Sequence, residues 1–522
     1  MVNIMHSLYN SVDAMRINQA GLSVVSNNIA NMNTEGYSKQ RLDLASVTYQ
    51  SATLGQTDSI MVGGVTIEKV TRYQDEFLNS FLIGEKSSYG YDKQLYSNIG
   101  TLESYFNEVD GSGLTGAFQS YFAAAKTLAD TPTDKVIRAN FVTQAQSVAQ
   151  QFNAKATNLE NFRTNLVGDG LTQSSLDNSE IGKRIDDINN KLNQIAELNK
   201  QISVFSQGSE PNSLLDQRQL LIEELSESIP ITTRYEGTSC DVYMGNVQLI
   251  NSGQQSVTFK CSPSGDLNPV TVSLVSTKDP SVIYVSNYLE QESFPSNQGS
   301  LKAMLDMGGN GPGSIYETMT ELNNLAREFA TSVNEIQLRA DAGPPTQASL
   351  KMNPTTGELE IATQNIFLND PNVAVYDPTL ITASNLCVNQ AVIKDPFEVA
   401  TAYAEVAGTT VVSPNAVGNN NNASMFLGMR DTKIAGLQGQ TPEANLYALA
   451  SKIGNSSALA KSQLSAQEKS VQQLSDQKQS IVGVSLDEEL VDLMKFQKAY
   501  QASAQVFSVV SQMMDVIMGM AK

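Results

Sequence analysis

Residues 485–522 read SLDEELVDLMKFQKAYQASAQVFSVVSQMMDVIMGMAK, and the rest of the predicted architecture follows from this segment. Mostly apolar side chains recur in it at steps of three or four, a spacing that places them on one face of an α-helix. No proline interrupts the pattern. Because one helix cannot bury an apolar face on itself, the stretch needs a partner. The face consists of Leu490, Leu493, Phe496, Tyr500, Ser503, Phe507, Val510, Met514, Ile517 and Ala521.

The other end of the chain supplies a matching helix, predicted over residues 4–31. Its apolar face is formed by Leu8, Val12, Met15, Leu22 and Ile29. Two helices with such faces can pair as a coiled coil. That pairing predicts an α-helical, coiled-coil-like core domain built from both chain ends. The same spacing is also typical of ordinary core helices, so both interpretations stay open at this point.

Composition limits the function classes. The chain has 522 residues, enough for more than one domain, and 41% hydrophobic residues, enough for apolar cores. Its net charge of −20 argues against nucleic acid as a partner, since phosphate binding needs a basic face. No apolar run is long enough to insert into a membrane. The first residues lack the pattern of a secretory signal, so composition alone would indicate a cytoplasmic protein.

The positions of the prolines organise the rest of the chain. All 16 prolines lie between Pro132 and Pro442, which leaves both ends free for long helices. Alternating apolar residues in the middle predict strands. The predicted fold class is multidomain α+β, with paired terminal helices and β-rich domains inserted between them. The predicted domains are a helical core or assembly domain over 1–228 and 441–522, a β-rich domain over 229–300, a returning helical segment over 301–340, and a second β-rich insertion over 341–440.

Local patterns place the helices within this plan. Helices are predicted over 114–130, 133–165 and 181–202, and the last of these has Asn199 at a core heptad position, where a polar residue can fix register. Residues 39–70 are predicted to be extended. Thr441 and Pro442 are typical of a helix start, and Gly483 separates that helix from the terminal one.

The sequence contains few residues in patterns typical of a catalytic or metal site. The one histidine, His6, excludes a histidine-based triad or a site with several histidine ligands. The three cysteines, Cys240, Cys261 and Cys387, lack the spacing of a zinc site. Cys240 and Cys261 could pair across two strands or stay free thiols. We expect no cofactor, no metal and no enzyme activity, although pairs of carboxylates keep an enzyme on a helical scaffold open as an alternative.

Three motifs at the chain ends resemble those of bacterial flagellar axial proteins, the group of rod, hook and hook-associated proteins. They are SNNIANMNTEGYS at 26–38, GVSLDEE at 483–489 and FQKAYQASA at 496–504.

Further motifs resemble the FlgK family of hook-associated proteins within that group. They are YSKQR at 37–41, DEFL at 75–78, NSLLDQR at 212–218 and GSL at 299–301. The resemblance covers both chain ends and the helical scaffold, and it is weak in the predicted β insertions.

The resemblance implies a structural subunit at the junction between hook and filament that allows the filament to assemble. It implies these partners: further copies of the chain in a ring, the hook protein, a second junction protein, flagellin with the filament cap, and a cytoplasmic chaperone on the C-terminal helix. It also implies export through the flagellar type III channel to an extracellular position, without nucleic acid or membrane insertion. Another axial protein, of the hook or distal rod, is the alternative. We also expect residues 1–36 and 486–522 to be mobile before assembly.

The expected assembly interface combines the two helical faces with the first motif. Its residues are Leu8, Val12, Met15, Leu22, Ile29, Asn31, Asn33, Gly36, Tyr37, Leu490, Leu493, Phe496, Tyr500, Phe507, Val510, Met514 and Ile517.

Overall fold

A computed structural model of the chain describes residues 2–50, 60–108, 111, 113–205, 211–291, 294–295, 297–341, 346–370, 376–408, 410–412 and 418–520. Long helices occupy both ends of the chain, and small antiparallel sheets occupy the middle. The predicted fold class, multidomain α+β with helical ends, is confirmed.

The helices follow the predicted plan closely. They are α1 (Val2–Asn31), α2 (Glu76–Phe106), α3 (Gly113–Asp130), α4 (Lys135–Val167), α5 (Gln173–Asn178), α6 (Glu180–Phe205), α7 (Asn212–Ser228), α8 (Ser300–Gly308), α9 (Ile315–Gln337), α10 (Gln390–Lys394), α11 (Asn421–Gly428), α12 (Pro442–Val482) and α13 (Leu486–Met520). Thr441 caps α12 as expected, because its side chain accepts a hydrogen bond from the backbone N–H of Ala444.

The strands form five small sheets among the described residues. They are β1 (Gln40–Gln50), β2 (Ile60–Arg72), β3 (Thr232–Glu236), β4 (Ser239–Met244), β5 (Val247–Asn251), β6 (Gln254–Gln255), β7 (Val257–Pro263), β8 (Val270–Ser276), β9 (Ile283–Val285), β10 (Ala340–Asp341), β11 (Gln347–Met352), β12 (Leu359–Ile361), β13 (Phe367–Leu368), β14 (Cys387–Val388), β15 (Ala402–Ala407) and β16 (Thr410–Val411).

The two chain ends meet in one unit, here called the terminal unit, made of α1, the β1–β2 ribbon and α13. The helices α1 and α13 run antiparallel, since Asn28 contacts Glu489 and Gly21 lies against Phe496. The ribbon is antiparallel, with Gln40 opposite Arg72 and Leu44 opposite Ile67, and it packs along α1. The predicted extended stretch at 39–70 is therefore a ribbon, of which 51–59 lie outside the described residues.

The remaining helices and sheets form the body of the molecule. Its apolar core is continuous from the helices into the sheet of β7–β9, where Phe259 and Val272 are buried in the same cluster as Phe118 and Phe329. The sheet around β11 and β15 has a small core of its own. The predicted domain boundaries stay predictions. The region predicted as a second β insertion also contains the short helices α10 and α11, which weak periodicity did not reveal.

The structure shows how Asn199 is packed and whether the cysteines pair. Asn199 is buried and contacts both a helix and a strand. It accepts from Arg218 of α7 and donates to the carbonyl of Cys240 of β4. All three cysteines are free thiols, with Cys240 and Cys261 in different sheets.

Candidate assembly interface

Helix α13 is almost uncovered in the single chain. Of its described residues only Glu489 is buried. Leu490 and Tyr500 of the predicted face are 44% and 38% exposed, because they lie at its edges. Ala521 of the predicted face lies outside the described residues. The other residues of that face are half-buried along α1: Leu493, Phe496, Ser503, Phe507, Val510, Met514 and Ile517.

The predicted face of α1 is half-buried as well. Leu8, Val12, Met15, Leu22 and Ile29 all keep part of their surface exposed. The most buried side of α1 is offset from them, because this helix packs against α13 and against the ribbon at the same time. The buried residues on that side are Ser11, Ile17, Gly21, Val24, Val25 and Asn28.

A second apolar face of α13 points away from α1. Val506, Val509, Met513 and Val516 follow one another at steps of three, four and three, and they are 51%, 51%, 54% and 58% exposed. This is the spacing of a coiled-coil seam. Apolar side chains in such a row on a surface mark an interaction site rather than ordinary scatter.

The motif after α1 forms a tight turn. Gly36 has a φ of 77°, a left-handed conformation that glycine adopts without strain. Asn31 donates to the carbonyl of Asn27 at 3.0 Å, Asn33 is exposed, and the Tyr37 hydroxyl donates to Asn28 Oδ1 at 2.8 Å. Burial raises the pKa of Tyr37 to about 12, so the hydroxyl stays a donor at neutral pH. The turn thus carries the chain from α1 into the ribbon.

A polar cluster, here called the terminal clasp, joins this turn to the start of α13. Asn28 Nδ2 donates to Glu489 Oε2 at 3.0 Å, and Lys39 Nζ lies 3.2 Å from Glu489 Oε1 and 2.8 Å from Glu488 Oε2. Burial alone would lower the pKa of Lys39, but its bonds to the two glutamates outweigh this and raise it. The lysine therefore stays charged opposite a buried carboxylate.

A second polar cluster, here called the body clasp, fixes the terminal unit to α7. Asp216 accepts from the backbone N–H of Ser38 at 3.2 Å and pairs with Arg72 at 2.9 Å. Both partners of the ion pair are more than nine-tenths buried, and burial raises the pKa of Asp216. Two helix turns further along α7, Glu223 binds Lys86 of α2 and Lys478 of α12. Four separate segments of the chain therefore meet on α7.

Sequence reasoning missed these polar residues as interface residues. Asn28, Lys39, Asp216 and Glu489 lie inside the motifs that carry the resemblance, but periodicity gives no signal for a polar contact between distant segments.

Within the described residues, no group of three His, Cys, Asp or Glu side chains is arranged to hold a metal ion. The side chain of His6 lies outside the described part of the chain. None of the described helices is long and apolar enough to cross a membrane.

Three protein families match parts of the chain. The flagellar hook-associated protein FlgK helical domain matches residues 99–341. The flagella basal body rod protein family matches residues 8–37, and the flagellar basal body rod FlgEFG protein C-terminal family matches residues 478–520. The two rod-family matches fall on α1 with its turn and on α13, and the FlgK match falls on the body.

Curated relatives match over nearly the whole chain. Flagellar hook-associated protein 1 of Bacillus subtilis is 28% identical, over 97% of this chain and 96% of its own length. The proteins of the same name from Escherichia coli and Salmonella typhimurium are 26% and 25% identical, over 97% and 98% of this chain and 98% and 100% of their own. These matches confirm the resemblance that the sequence motifs indicate.

A solved structure has a similar fold. It is the flagellar hook junction protein FlgK from Burkholderia pseudomallei, which matches with a TM-score of 0.55 over 78% of this chain and all of its own, at 16% identity.

Proposed function

We propose that this chain, a homologue of flagellar hook-associated protein 1 along nearly its whole length, is a structural subunit of the junction between the hook and the filament of a bacterial flagellum. In this role it carries no enzyme activity. It joins two assemblies and gives the filament a surface on which to grow.

The observation that carries the proposal is the exposure of α13. A helix with two apolar faces, one half-covered by α1 and one open, is suited to the inside of a larger helical assembly. Further copies of the chain, arranged in a ring, would cover the seam of Val506, Val509, Met513 and Val516.

The proposed partners follow from a position between the hook and the filament. The hook protein lies on one side of the ring, and a second junction protein, then flagellin and the filament cap, lie on the other. Before assembly, a cytoplasmic chaperone covers α13, whose exposed apolar surface would otherwise aggregate. The chain leaves the cell through the flagellar type III channel and works outside it. The net charge of −20 disfavours nucleic acid as a further partner.

A second candidate is another axial protein, of the hook or the distal rod. The observation that favours it is the match of both chain ends to rod families. The match of 99–341 to the FlgK helical domain favours the junction.

Deletion of the gene separates the two candidates. For a junction subunit, electron microscopy of the cells shows hooks without filaments, and flagellin accumulates in the medium. Cells that lack hooks altogether would place the chain in the rod or hook. Normal filaments and swimming would contradict both.

Complementation then tests the open face of α13. The double variant Val509→Asp with Met513→Asp puts two charges on the seam and is expected to leave the cells without filaments. Ser508→Asp puts one charge on an exposed polar position of the same helix and is expected to restore filaments. If the double variant restored filaments as well as wild type, the seam would not be an assembly surface.

A further inference from the structure

Two contacts between α1 and α13 differ from the other contacts of this helix pair. Asn28 meets Glu489, and Gly21 meets Phe496. The two positions on α1 are seven residues apart, and so are the two on α13, so both contacts lie on one line along the antiparallel pair. One contact is polar and the other is steric.

The polar contact uses the whole hydrogen-bonding capacity of Asn28. Its Nδ2 donates to the carbonyl of Gln40 at 2.9 Å and to Glu489 at 3.0 Å, and its Oδ1 accepts from the N–H of Gln40 at 3.0 Å and from Tyr37. Three of these bonds are local to residues 28–40. The local segment therefore presents one amide donor and the Lys39 ammonium to whatever part of α13 lies opposite.

The steric contact depends on the missing side chain of Gly21. A Cβ at this position would lie 2.6 Å from the Phe496 ring, closer than real Cβ atoms approach. Glycine inside a helix costs about 1 kcal/mol relative to alanine. Its presence in the middle of α1 therefore serves the close approach of the ring.

A shift of α13 along α1 would break both contacts. A slip of one heptad along α13 brings Phe496 to Asn28 and Lys39, so that a buried donor and a charge lose the Glu489 carboxylate. A buried polar pair of this kind adds little to stability, but it can fix the register of two helices. The same slip takes the Phe496 ring away from the space that Gly21 leaves open.

We propose that Asn28 with Glu489 and Gly21 with Phe496 form a two-point lock that fixes the register of α13 on α1. Each slip of one heptad would move the open seam by about 10 Å along the terminal unit. The lock therefore sets the position along the terminal unit at which each subunit presents the open row of Val506, Val509, Met513 and Val516. It concerns contacts within one chain and holds whether or not the chain serves at a hook junction.

Disulfide capture in the full chain measures the register directly. Ala14 and Ser503 continue the same line one heptad further, and Val510 lies one heptad beyond Ser503. The pair Ala14→Cys with Ser503→Cys reports the locked register, and Ala14→Cys with Val510→Cys reports the slipped one. Mass mapping of the cross-linked peptides distinguishes these bonds from bonds to the three native cysteines.

Without further substitutions, we expect the disulfide that reports the locked register to form about tenfold more readily than the one that reports the slipped register. A tenfold ratio corresponds to a free-energy difference of about 1.4 kcal/mol between the two registers. Glu489→Leu is expected to lower this ratio several-fold. Gly21→Ala is expected to lower it too, although alanine by itself strengthens a helix. Glu489→Gln keeps the shape and the bond to Asn28 and is expected to restore most of the ratio.

Two matched controls are expected to leave the ratio unchanged. Asp492→Asn changes a carboxylate one turn further along, and Gly100→Ala adds a Cβ to a helical glycine at a point where it meets no atom of another element within 4 Å. The thermal unfolding of the body shows that each variant folds. Equal yields of the two pairs in the unchanged chain, or an unaltered ratio in both Glu489→Leu and Gly21→Ala, would overturn the lock.

Discussion

Lys86 of α2 donates to Glu223 of α7 at 2.9 Å, across 137 residues of sequence. Lys478 of α12 binds the other oxygen of the same carboxylate. The side chain of Glu223 is only 9% exposed. One buried carboxylate therefore holds together three helices of the body, next to the point where the terminal unit is attached.

Glu223 predicts a pH-dependent stability. Burial raises its pKa, but Lys478 and Lys86 outweigh burial and lower it. A lowered pKa means that the stabilising contribution is present above the pKa of the unfolded chain, about 4.3, and is lost as the pH falls through the folded-state pKa. Glu223→Gln is expected to lower the free energy of unfolding by about 3 kcal/mol at pH 7. The difference from wild type should shrink below about pH 4.3.

Chemical denaturation at a series of pH values checks this. Glu224→Gln is the control, because Glu224 is 45% exposed beside Lys191 and its pairing should contribute less than about 1 kcal/mol. A Glu223→Gln effect that stayed constant down to pH 3 would mean that the ionised carboxylate does not hold the helices.

Gly36 and Gly100 predict opposite results for the same substitution. Gly36→Ala forces a left-handed conformation on alanine in the turn after α1 and should cost about 1 kcal/mol. Gly100 lies inside α2, and the Cβ of an alanine there would meet no atom of another element within 4 Å, so Gly100→Ala should stabilise the body by about 0.5–1 kcal/mol. Denaturation midpoints of the two variants measure both effects. A stabilising Gly36→Ala would contradict the geometry of the turn.

The sequence predicts elements well and contacts between elements poorly, for a physical reason. The spacing of Leu493, Phe496 and Phe507 reports which side of α13 is apolar, and Thr441 with Pro442 marks a helix start, since both signals are local. The partner of Asn199 is a strand and an arginine, and the partner of Asn28 is Glu489, which no local pattern reveals. The predicted face of α1 is offset from the buried one because the ribbon competes with α13 for the helix surface.

Substitutions on the face of α13 that contacts α1 are expected to affect assembly but not the folding of the body. Leu493→Asp and Phe507→Asp each put a charge on the half-buried face of α13 and are expected to block incorporation into the flagellum. The unfolding of the body should not change, because the body does not rest on this seam. Gln501→Asp, at an exposed position of the same helix, is the control and should be incorporated normally.

Two outcomes of that experiment would count against this role of the face that contacts α1. Normal incorporation of either variant would show that this face is not needed for assembly. Unfolding of the body in both variants would show that the two residues serve only as core.

Hydrogen exchange of the isolated monomer tests the mobility of the terminal helices. Since Glu489 is the only buried residue among those described in α13, opening this helix costs little, and exchange within it should be fast. Helices α4 and α6, with faces of fully buried residues, should exchange slowly. After assembly, α1 and α13 should become protected. Strong protection of both terminal helices in the monomer would contradict folding on assembly.

The most direct test of the junction role is the position of the chain in an intact flagellum. An epitope inserted at the exposed turn of Gly357, where an added Cβ would meet no atom within 4 Å, can be labelled with gold and viewed by electron microscopy. We predict one labelled band on each flagellum, between the hook and the filament. Label along the rod, along the hook or along the filament, with none at the boundary, would contradict the account.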